Sequence, residues 1–382
     1  MHILIAPNAF KNSLSATDAA AAIEKGLLQS KLNCTTTCFP IADGGDGTGP
    51  LIIEKCKGRI IQKQVRDPLG RPITSQFGLI DNGKTAVIEM ADASGLRLLK
   101  KEELNPMMAS SAGTGDLIKF ALDEGVSKIL LAMGGSATVD GGCGILNALG
   151  IRFFNANDEL LQATPQALSD LARVDISQLD KRLAQCEVIV LCDVNNKLLG
   201  PQGSAAIFGP QKGASPSDVS KLDGFLSQLD QIAQKQFDIS LSELKYGGTA
   251  GGAAAGLCGF LQAKLVNGIE YFLQVTGFDK ELQKADLLIT GEGSIDNQTL
   301  QGKGPFGVAN AAKRKNIPVI GLAGRVPVER DAELEQYFDV LMAIGNEPAD
   351  LTQALINTNE NLIRTARAIG HLLYFDLPRQ NK

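Results

Sequence analysis

Four glycine-rich segments of the chain also carry Ser, Thr, Asp or Glu, residue types that bind phosphate and Mg²⁺. The segments are Ala42–Thr48, Gly134–Gly144, Gly247–Gly252 and Gly291–Asp296. Glycine lets backbone N–H groups approach a phosphate closely, and the N-terminus of a following helix favours an anion. Because Mg²⁺ is usually held by one or two carboxylates together with phosphate oxygens, these segments predict a site that handles phosphate and Mg²⁺.

The acid–base groups of such a site are predicted to be carboxylates or lysines, because the chain has only two histidines. His2 and His371 lie at opposite ends of the sequence, which excludes a metal site with several histidines and argues against a histidine-centred triad. Asp193 is the best carboxylate candidate, because it directly follows an apolar run that ends at Cys192. It could be the general base or a ligand of Mg²⁺, and the sequence leaves both roles open.

Common nucleotide-binding motifs do not account for these segments. A Walker A motif would need Gly at position 297 and Ser or Thr at position 304, where the chain has Asn297 and Gly304. No GxGxxG motif opens the first strand–helix unit. Ala112–Asp116 (AGTGD) is only weakly similar to the anion-binding GAGD sequence of ribokinase-like sugar kinases.

Short apolar runs alternate with helical patterns and would position the glycine-rich segments. Continuous apolar runs without polar alternation predict buried parallel strands. The predicted strands are His2–Ala6, Thr35–Phe39, Lys128–Met133, Val188–Cys192, Leu287–Thr290, Val319–Leu322 and Val340–Ile344. Ligands of open α/β sheets bind at the carboxyl ends of the strands, and most of the glycine-rich segments follow such ends.

Capping residues indicate where two helices begin. Ser15 opens a capping box that predicts a helix running to about Gln29. Ser215 followed by Pro216 predicts the start of a long helix that reaches about Phe237.

These patterns predict an α/β fold with two domains. One is a doubly wound parallel sheet of the Rossmann or flavodoxin-like type, formed by residues 1–64 and 281–382. The other is a mixed α/β domain of residues 65–280, whose alternating, proline-containing first part favours antiparallel strands. The strands predicted at Lys128 and Val188 could instead belong to the first sheet.

Charge and composition exclude several other classes of protein. The formal net charge is −5 and aromatic residues are 5%, so the basic stripe with stacking rings that binds nucleic acid is missing. The longest uncharged stretch, Gly247–Ala263, is too short and too weakly hydrophobic to span a bilayer, and the first residues do not form a signal peptide. Seven scattered cysteines predict free thiols in a reducing cytoplasm. The sequence does not determine the oligomeric state, and a homodimer is one possibility.

Together the loops resemble the bacterial type I glycerate kinases, the glycerate 2-kinase group, over residues 2–370. The segments that carry the resemblance are Ala6–Ser15, Ala42–Thr48, Gly113–Asp116, Gly134–Thr138, Asp140–Gly142, Cys192–Asn196, Phe208–Ala214, Gly251–Gly252, Thr290–Gly293 and Asp296–Lys303. The resemblance implies ATP- and Mg²⁺-dependent phosphorylation of D-glycerate, most often at O2. It also implies two α/β domains with the active site in the cleft between them.

The chain departs from the family pattern at a few positions. Asn8 stands where the family usually has Asp, which removes a carboxylate, and Asn12 stands where Gly is common. Val139 precedes Asp140 where Asn is usual. Lys197 replaces a proline and adds a cation near Asp193. The phosphate loops are intact, so a kinase is still expected.

Phosphoryl transfer depends mainly on positioning and electrostatic stabilisation, and each role has candidates. For the nucleotide phosphates the candidates are Gly134, Gly135 and Ser136, assisted by Thr138, together with Gly291, Gly293 and Lys303. For Mg²⁺ they are Asp193, Glu292 and Asp296.

Further candidates would bind glycerate or act in catalysis beside Asp193. Lys11 is predicted to contact the glycerate carboxylate or the transferring phosphoryl group. Asp43 and Asp46 flank a Gly-Gly pair and are predicted to orient glycerate or metal, Asp43 in a catalytic role. Ser13 and Arg325 are predicted to bind substrate.

Three other functions stay open on the sequence. A glycerate 3-kinase would give 3-phosphoglycerate, and Lys197 suggests a kinase for another small hydroxy acid. Asn8 and Val139 suggest a non-catalytic anion-binding protein that has kept the loops.

Overall fold

The computed structural model describes residues 1–376, and strands alternate with helices along most of this length. The strands are β1 (His2–Ile5), β2 (Thr35–Cys38), β3 (Arg59–Arg66), β4 (Pro72–Ile80), β5 (Thr85–Glu89), β6 (Lys128–Ala132), β7 (Arg152–Phe154), β8 (Arg173–Asp175), β9 (Glu187–Cys192), β10 (Lys264–Asn267), β11 (Leu287–Ser294), β12 (Val319–Arg325) and β13 (Val340–Ala343). The helices are α1 (Ala16–Leu28), α2 (Thr48–Lys55), α3 (Ala91–Ser94), α4 (Ala112–Asp123), α5 (Cys143–Ala148), α6 (Ser204–Phe208), α7 (Pro216–Phe237), α8 (Ala253–Leu261), α9 (Gly268–Thr276), α10 (Phe278–Leu282), α11 (Gly304–Lys313), α12 (Leu351–Ile356) and α13 (Thr358–Asp376). The predicted α/β class is confirmed.

The chain forms two compact units. Residues 1–43 and the residues from 269 onward make the first unit, and Gly44–Gly268 makes the second. The predicted boundaries, after residues 64 and 280, both lie later in the chain than these. The reason at the first boundary is that α2 packs against β4 and β5 of the second unit. The part of the predicted first domain beyond residue 376 lies outside the described residues.

The second boundary falls earlier than predicted because α9 and α10 pack on the first unit. A Cβ added to Gly307 of α11 would overlap the Ile269 side chain of α9. The Phe278 ring of α10 meets the Phe39 ring edge to face, with centroids 5.2 Å apart. These aromatic and aliphatic contacts join residues 269–282 to the first unit.

The first unit contains a five-stranded sheet in the order β13-β12-β11-β1-β2, in which all neighbouring strands are parallel. Ile3, Leu4 and Ile5 of β1 are all fully buried, so both faces of the sheet are covered at this central strand. Ile3 and Ile5 share a core cluster with Ile23 of α1 and Leu362 of α13. This matches the prediction made from continuous apolar runs.

The second unit contains a six-stranded mixed sheet in the order β10-β9-β6-β5-β4-β3. The β3–β4 and β4–β5 pairs are antiparallel, as predicted, and the remaining pairs are parallel. β6 and β9 lie in this sheet, so the alternative that the strands at Lys128 and Val188 join the first sheet is wrong. β7 and β8 form a separate antiparallel pair.

Both predicted helix starts are confirmed. Ser15 Oγ accepts a hydrogen bond from the N–H of Asp18 at the start of α1. Ser215 and Asp218 form a capping box at the start of α7, with Pro216 in its first turn. Within residues 1–376, no helix combines the length and the apolar composition needed to cross a membrane.

Candidate active-site residues

In the first unit, the segments that follow β1 and β2 meet the N-terminus of α11. The backbone N–H of Asn8 donates to the Gly291 carbonyl over 2.8 Å, which fixes the β1 loop to β11. The Asn8 side-chain amide donates to Asp43 Oδ2 over 3.0 Å, and the N–H of Gly304 donates to the same oxygen over 3.2 Å. The Asp43 carboxylate therefore lies where the α11 dipole favours negative charge.

Glu292, in β11, is a buried carboxyl group surrounded by other charges. Burial raises its pKa to about 7, with Lys303 and a hydrogen bond from Thr299 acting in the opposite direction and Asp43 and Asp296 raising it further. The Thr299 hydroxyl donates to Glu292 Oε1 over 2.9 Å. The structure thus brings Glu292 into electrostatic reach of three other predicted site residues.

Thr299 also links Glu292 to Asp296. The N–H of Asp296 donates to Thr299 Oγ1 over 3.2 Å, and Asp296 Oδ1 accepts from the N–H of Gln298 over 2.9 Å. Within the described residues, no group of three or more His, Cys, Asp or Glu side chains could hold a metal ion. Because Mg²⁺ commonly takes one or two carboxylates and completes its shell with phosphate oxygens and water, this donor set fits Mg²⁺ bound together with a phosphate.

Lys11 and Arg325 are exposed side chains at the carboxyl end of β11. Arg325 pairs with Ser294 in the β11–β12 ladder. The atom nearest to a Cβ added at Gly293 would be the backbone nitrogen of Lys11, at 3.8 Å. Protein packing therefore does not require glycine at position 293, whereas close approach of a ligand to the backbone would.

Ser13 and Gly291 have clear roles within the first unit itself. The Ser13 hydroxyl donates to the Leu355 carbonyl over 2.6 Å and so ties the β1 loop to α12. A Cβ added to Gly291 would overlap the Leu322 carbonyl oxygen of β12. Gly291 is thus explained by close strand pairing, and the Ser13 oxygen keeps only its acceptor capacity for a substrate.

In the second unit, the loop that follows β6 packs on the loop that precedes α2. A Cβ added to Gly134 would overlap the Asp46 nitrogen. Gly135 has a φ of 70°, which favours glycine, and Ser136 pairs with Gly95. The predicted phosphate residues Gly134, Gly135 and Ser136 therefore lie against Asp46.

Glu89, at the end of β5, holds the loop that contains Asp46. Its carboxyl oxygens accept from the N–H of Gly47 over 2.6 Å and from the N–H of Gly49 over 2.9 Å. Burial, and to a smaller extent a hydrogen bond with Asp46, raise the Glu89 pKa to about 8. Glu89 was not predicted from the sequence, where it appears only as the last residue of an apolar strand.

Arg97 orients the Asp46 side chain. Its Nη1 donates to Asp46 Oδ1 over 2.6 Å, and its Nη2 donates to Asp92. The Asp46 side chain is 55% exposed, so it stays accessible to a ligand while its guanidinium partner fixes its direction.

Asp140 is a fully buried carboxylate that organises the turn before α5. It accepts from the N–H and the hydroxyl of Ser111 over 2.8 and 2.7 Å, and from the N–H groups of Gly142 and Gly144 over 3.1 Å each. Burial raises its pKa, while these hydrogen bonds lower it. Val139 is also fully buried and belongs to the hydrophobic core, so its side chain serves packing.

Lys212 supports the loop after β6 from its buried side. Its side chain is nearly inaccessible, with 2% exposure, and Nζ donates to Ser136 Oγ over 2.9 Å and to the Thr138 carbonyl over 2.7 Å. Burial lowers the Lys212 pKa to about 7, and the negative charges of Asp140 and Asp193 raise it. Sequence reasoning missed this residue, although it lies in the Phe208–Ala214 segment that carried the family resemblance.

Asp193 follows β9 and is half-buried. It lies close enough to Lys212 and to Cys192 to influence both: the Cys192 pKa rises to about 12, mainly through burial and in part through the Asp193 charge. Lys197 is exposed, and its backbone pairs with Gly203. The Asp193 charge therefore acts on Lys212 through space, and the Lys197 side chain lies at the surface.

Comparisons with known proteins point to one family. A family model described as the glycerate kinase family matches residues 3–374. The chain is 43% identical to the glycerate kinase of Bacillus subtilis, with 97% of each chain covered. It is 40% identical to the glycerate 2-kinase of Escherichia coli K12, with 98% of each chain covered.

A solved structure shows the same fold. The crystal structure of a protein from Salmonella typhimurium LT2, described provisionally as glycerate kinase 2, has a TM-score of 0.82 and 41% sequence identity, with 98% of each chain covered.

Proposed function

This chain belongs to the glycerate kinase family, and from that premise we propose that it transfers the terminal phosphoryl group of ATP to O2 of D-glycerate. The products would be 2-phosphoglycerate and ADP. The observation that carries the nucleotide part of the proposal is the loop Gly134–Thr138. The buried Lys212 side chain donates hydrogen bonds to this loop. The choice of O2 is supported by the similarity to a relative named glycerate 2-kinase.

For the nucleotide, we assign Gly134, Gly135 and Ser136 to the phosphates, with Thr138 assisting. The loop follows a parallel strand, in the position where α/β folds bind anions. The Gly134 N–H already donates to the Gly44 carbonyl over 3.2 Å, so the backbone N–H groups proposed to face the phosphates are those of Gly135 and Ser136. The Asp46 carboxylate beside it is paired with Arg97, which limits its repulsion of a phosphate. In the first unit, Gly291, Gly293 and Lys303 are proposed to contact phosphate, since Gly293 leaves space at the backbone.

For Mg²⁺, the proposed ligands are Glu292 with Asp296, or Asp193. When bound there, Mg²⁺ would supply positive charge that stabilises the negative charge developing during transfer. Burial leaves the ionised form of Glu292 poorly stabilised, so a cation bound beside it would stabilise that form.

For the transfer step, Asp193 is proposed to accept the proton of the glycerate O2 hydroxyl. O2 then forms a bond to the terminal phosphorus as the bond from that phosphorus to the bridging oxygen of ADP breaks. Asp43 is a second candidate for a catalytic role, and its two hydrogen-bond donors, Asn8 and Gly304, fix the direction of its carboxylate.

For glycerate, Lys11 and Arg325 supply cations suited to its carboxylate. Lys11 could instead contact the transferring phosphoryl group. Ser13 and Asp46 are proposed as hydrogen-bonding partners of the substrate hydroxyls. Of the departures from the family pattern, only Lys197 leaves an added charge at the surface, which keeps a related hydroxy acid as a second candidate substrate.

The proposal is tested by measuring ADP release with D-glycerate, L-glycerate, lactate, tartrate and glycolate, each with ATP and Mg²⁺. D-glycerate should give the highest kcat/KM, and omission of Mg²⁺ should abolish turnover. Preference for another hydroxy acid would assign Lys197 a role in specificity, and the absence of turnover with every acid would favour the non-catalytic anion-binding alternative.

We expect the reaction to run in the cytoplasm, where ATP is available. The seven cysteines are free thiols, which fits a reducing compartment. A homodimer remains a hypothesis, and light scattering coupled to size-exclusion chromatography tests it.

A further inference from the structure

Lys212 is a buried cation whose hydrogen-bond acceptors are uncharged. Nζ donates to the Ser136 hydroxyl oxygen and to the Thr138 carbonyl oxygen, and neither neutralises a positive charge. Burying an ammonium group is costly unless an anion compensates it. The two hydrogen bonds therefore fix the direction of the buried amino group, while its charge is balanced only through space, by Asp140 and Asp193.

The buried carboxylate that acts on Lys212, Asp140, is already occupied. Its two oxygens accept four hydrogen bonds from Ser111, Gly142 and Gly144. Asp140 stabilises the Lys212 charge through space, but its lone pairs serve the turn before α5.

The hydrogen bond from Lys212 decides what Ser136 can do. A hydroxyl group has one donor and two acceptor sites, and the ammonium group of Lys212 occupies an acceptor site of Ser136 Oγ. The hydroxyl proton must then point away from Nζ. Ser136 is consequently prepared to donate a hydrogen bond, and it lies in a glycine loop after a parallel strand, where anions bind.

A second observation in the same loop also indicates a missing partner. Thr138 is fully buried, and its hydroxyl oxygen has no hydrogen-bond partner in the part of the chain that the structure describes. Buried polar groups are normally satisfied by protein, water or ligand. An unsatisfied hydroxyl two residues from Ser136 fits a loop that is completed when a ligand binds.

We infer that Lys212 is a positioning residue of the phosphate-binding loop: its buried ammonium holds Ser136 Oγ so that the Ser136 hydroxyl donates to a polyphosphate oxygen of the nucleotide. The inference rests on the proposed function for the identity of the nucleotide. It adds a residue that acts through Ser136 and does not itself touch the ligand, since the Lys212 side chain is almost completely buried.

The test is a double-mutant cycle with Lys212→Met, Ser136→Ala and the double variant, and binding of inorganic tripolyphosphate is measured by calorimetry. If Lys212 acts through Ser136, each single change weakens binding about tenfold, and the double variant is within about threefold of the weaker single variant. Independent effects that multiply to about a hundredfold would overturn the inference.

Steady-state kinetics separates positioning from a general structural role. Lys212→Met should raise KM for ATP about tenfold while KM for D-glycerate stays within about twofold. Lys235→Met is the matched control, because Lys235 is an exposed lysine of α7, and it should change neither constant. An equal rise in both constants for Lys212→Met would show that the residue only stabilises the unit.

Two further results keep the inference and the proposed function apart. If the wild-type protein binds tripolyphosphate but does not phosphorylate glycerate, the proposed function fails and the role of Lys212 stands. If the wild-type protein does not bind tripolyphosphate, the inference fails. Should Lys212→Met not fold, Lys212→Gln replaces it in the same cycle with the same two outcomes.

Discussion

The side-chain amide of Asn8 donates a hydrogen bond to Asp43 Oδ2 over 3.0 Å. The same oxygen accepts from the N–H of Gly304 at the start of α11 over 3.2 Å. An uncharged donor at position 8 therefore satisfies the Asp43 carboxylate without adding a second negative charge. The Asn8 amide offers a defined way to probe Asp43.

Asn8→Asp should make folding stability more dependent on pH. The neighbouring Asp43 carboxylate raises the pKa of the introduced carboxyl group in the folded state. A raised pKa gives stability that is complete at low pH and is lost as pH rises through the folded value. Urea unfolding measures the free energy of unfolding of both proteins at pH 5 and pH 8. The loss of stability between these two pH values should be about 1–2 kcal/mol larger for the variant than for wild type.

The control for this experiment is Asn12→Asp, which changes an exposed asparagine of the same loop. It should give the same pH dependence as wild type. If Asn8→Asp behaves like this control, Asn8 and Asp43 do not interact in solution as the structure shows.

Glu292→Gln should flatten the pH dependence of stability between about pH 5 and 8. The wild-type Glu292 pKa is raised to about 7 by burial, so wild-type stability falls as pH rises through that value. Gln keeps the acceptor for Thr299 and carries no charge. Urea unfolding without Mg²⁺ measures the free energy of unfolding of both proteins. From pH 5 to pH 8, the value for the variant minus that for wild type should increase by on the order of 2 kcal/mol.

Glu329→Gln, at an exposed position of the same unit, should follow the wild-type curve. Activity assays add a second reading: if Glu292 binds Mg²⁺, its variant needs a higher Mg²⁺ concentration for half-maximal rate. An unchanged Mg²⁺ requirement would remove Glu292 from the proposed ligands.

Asp193→Asn should lower kcat about a hundredfold or more while the fold is retained, because loss of a general base or of a metal ligand removes a function needed in the transition state. Asp170→Asn, at an exposed position of the same unit, should leave kcat unchanged. Circular dichroism and thermal unfolding verify the fold. Near-normal turnover of the Asp193 variant would exclude this residue as base and as essential ligand.

Lys11→Ala should raise KM about tenfold for whichever substrate this lysine contacts. The exposed lysine lies next to the open backbone at Gly293. A rise for D-glycerate assigns Lys11 to the carboxylate, and a rise for ATP assigns it to the phosphates. Lys31→Ala is the matched control at another exposed position. Kinetics identical to wild type would place Lys11 outside the site.

The sequence predicted the parts of the fold that depend on local pattern. Continuous apolar runs indicated β1 and β11, and Ser15 and Ser215 marked helix starts, because strand burial and capping leave signals within a few residues. The predicted first boundary lies later in the chain than the boundary between the two compact units, since the contact of α2 with β4 and β5 is a tertiary contact without a local signature.

The same reasoning explains which site residues were missed. Lys212 lies 76 residues from Ser136, to which it donates, and Glu89 lies 42 residues from Gly47. Nothing near either residue in the sequence indicates these contacts. Glycine-rich loops could be predicted because they follow strands, whereas the buried groups that hold the loops appear only once the chain is folded.

The central claim is that this chain phosphorylates D-glycerate at O2 with ATP, and phosphorus NMR of the product tests it most directly. In 2-phosphoglycerate the phosphate is attached to a carbon with one hydrogen, so its signal splits into a doublet. In 3-phosphoglycerate the carbon carries two hydrogens, and the signal is a triplet. A doublet that grows only when both ATP and D-glycerate are present is expected; a triplet, or no glycerate-dependent signal, would contradict phosphorylation at O2.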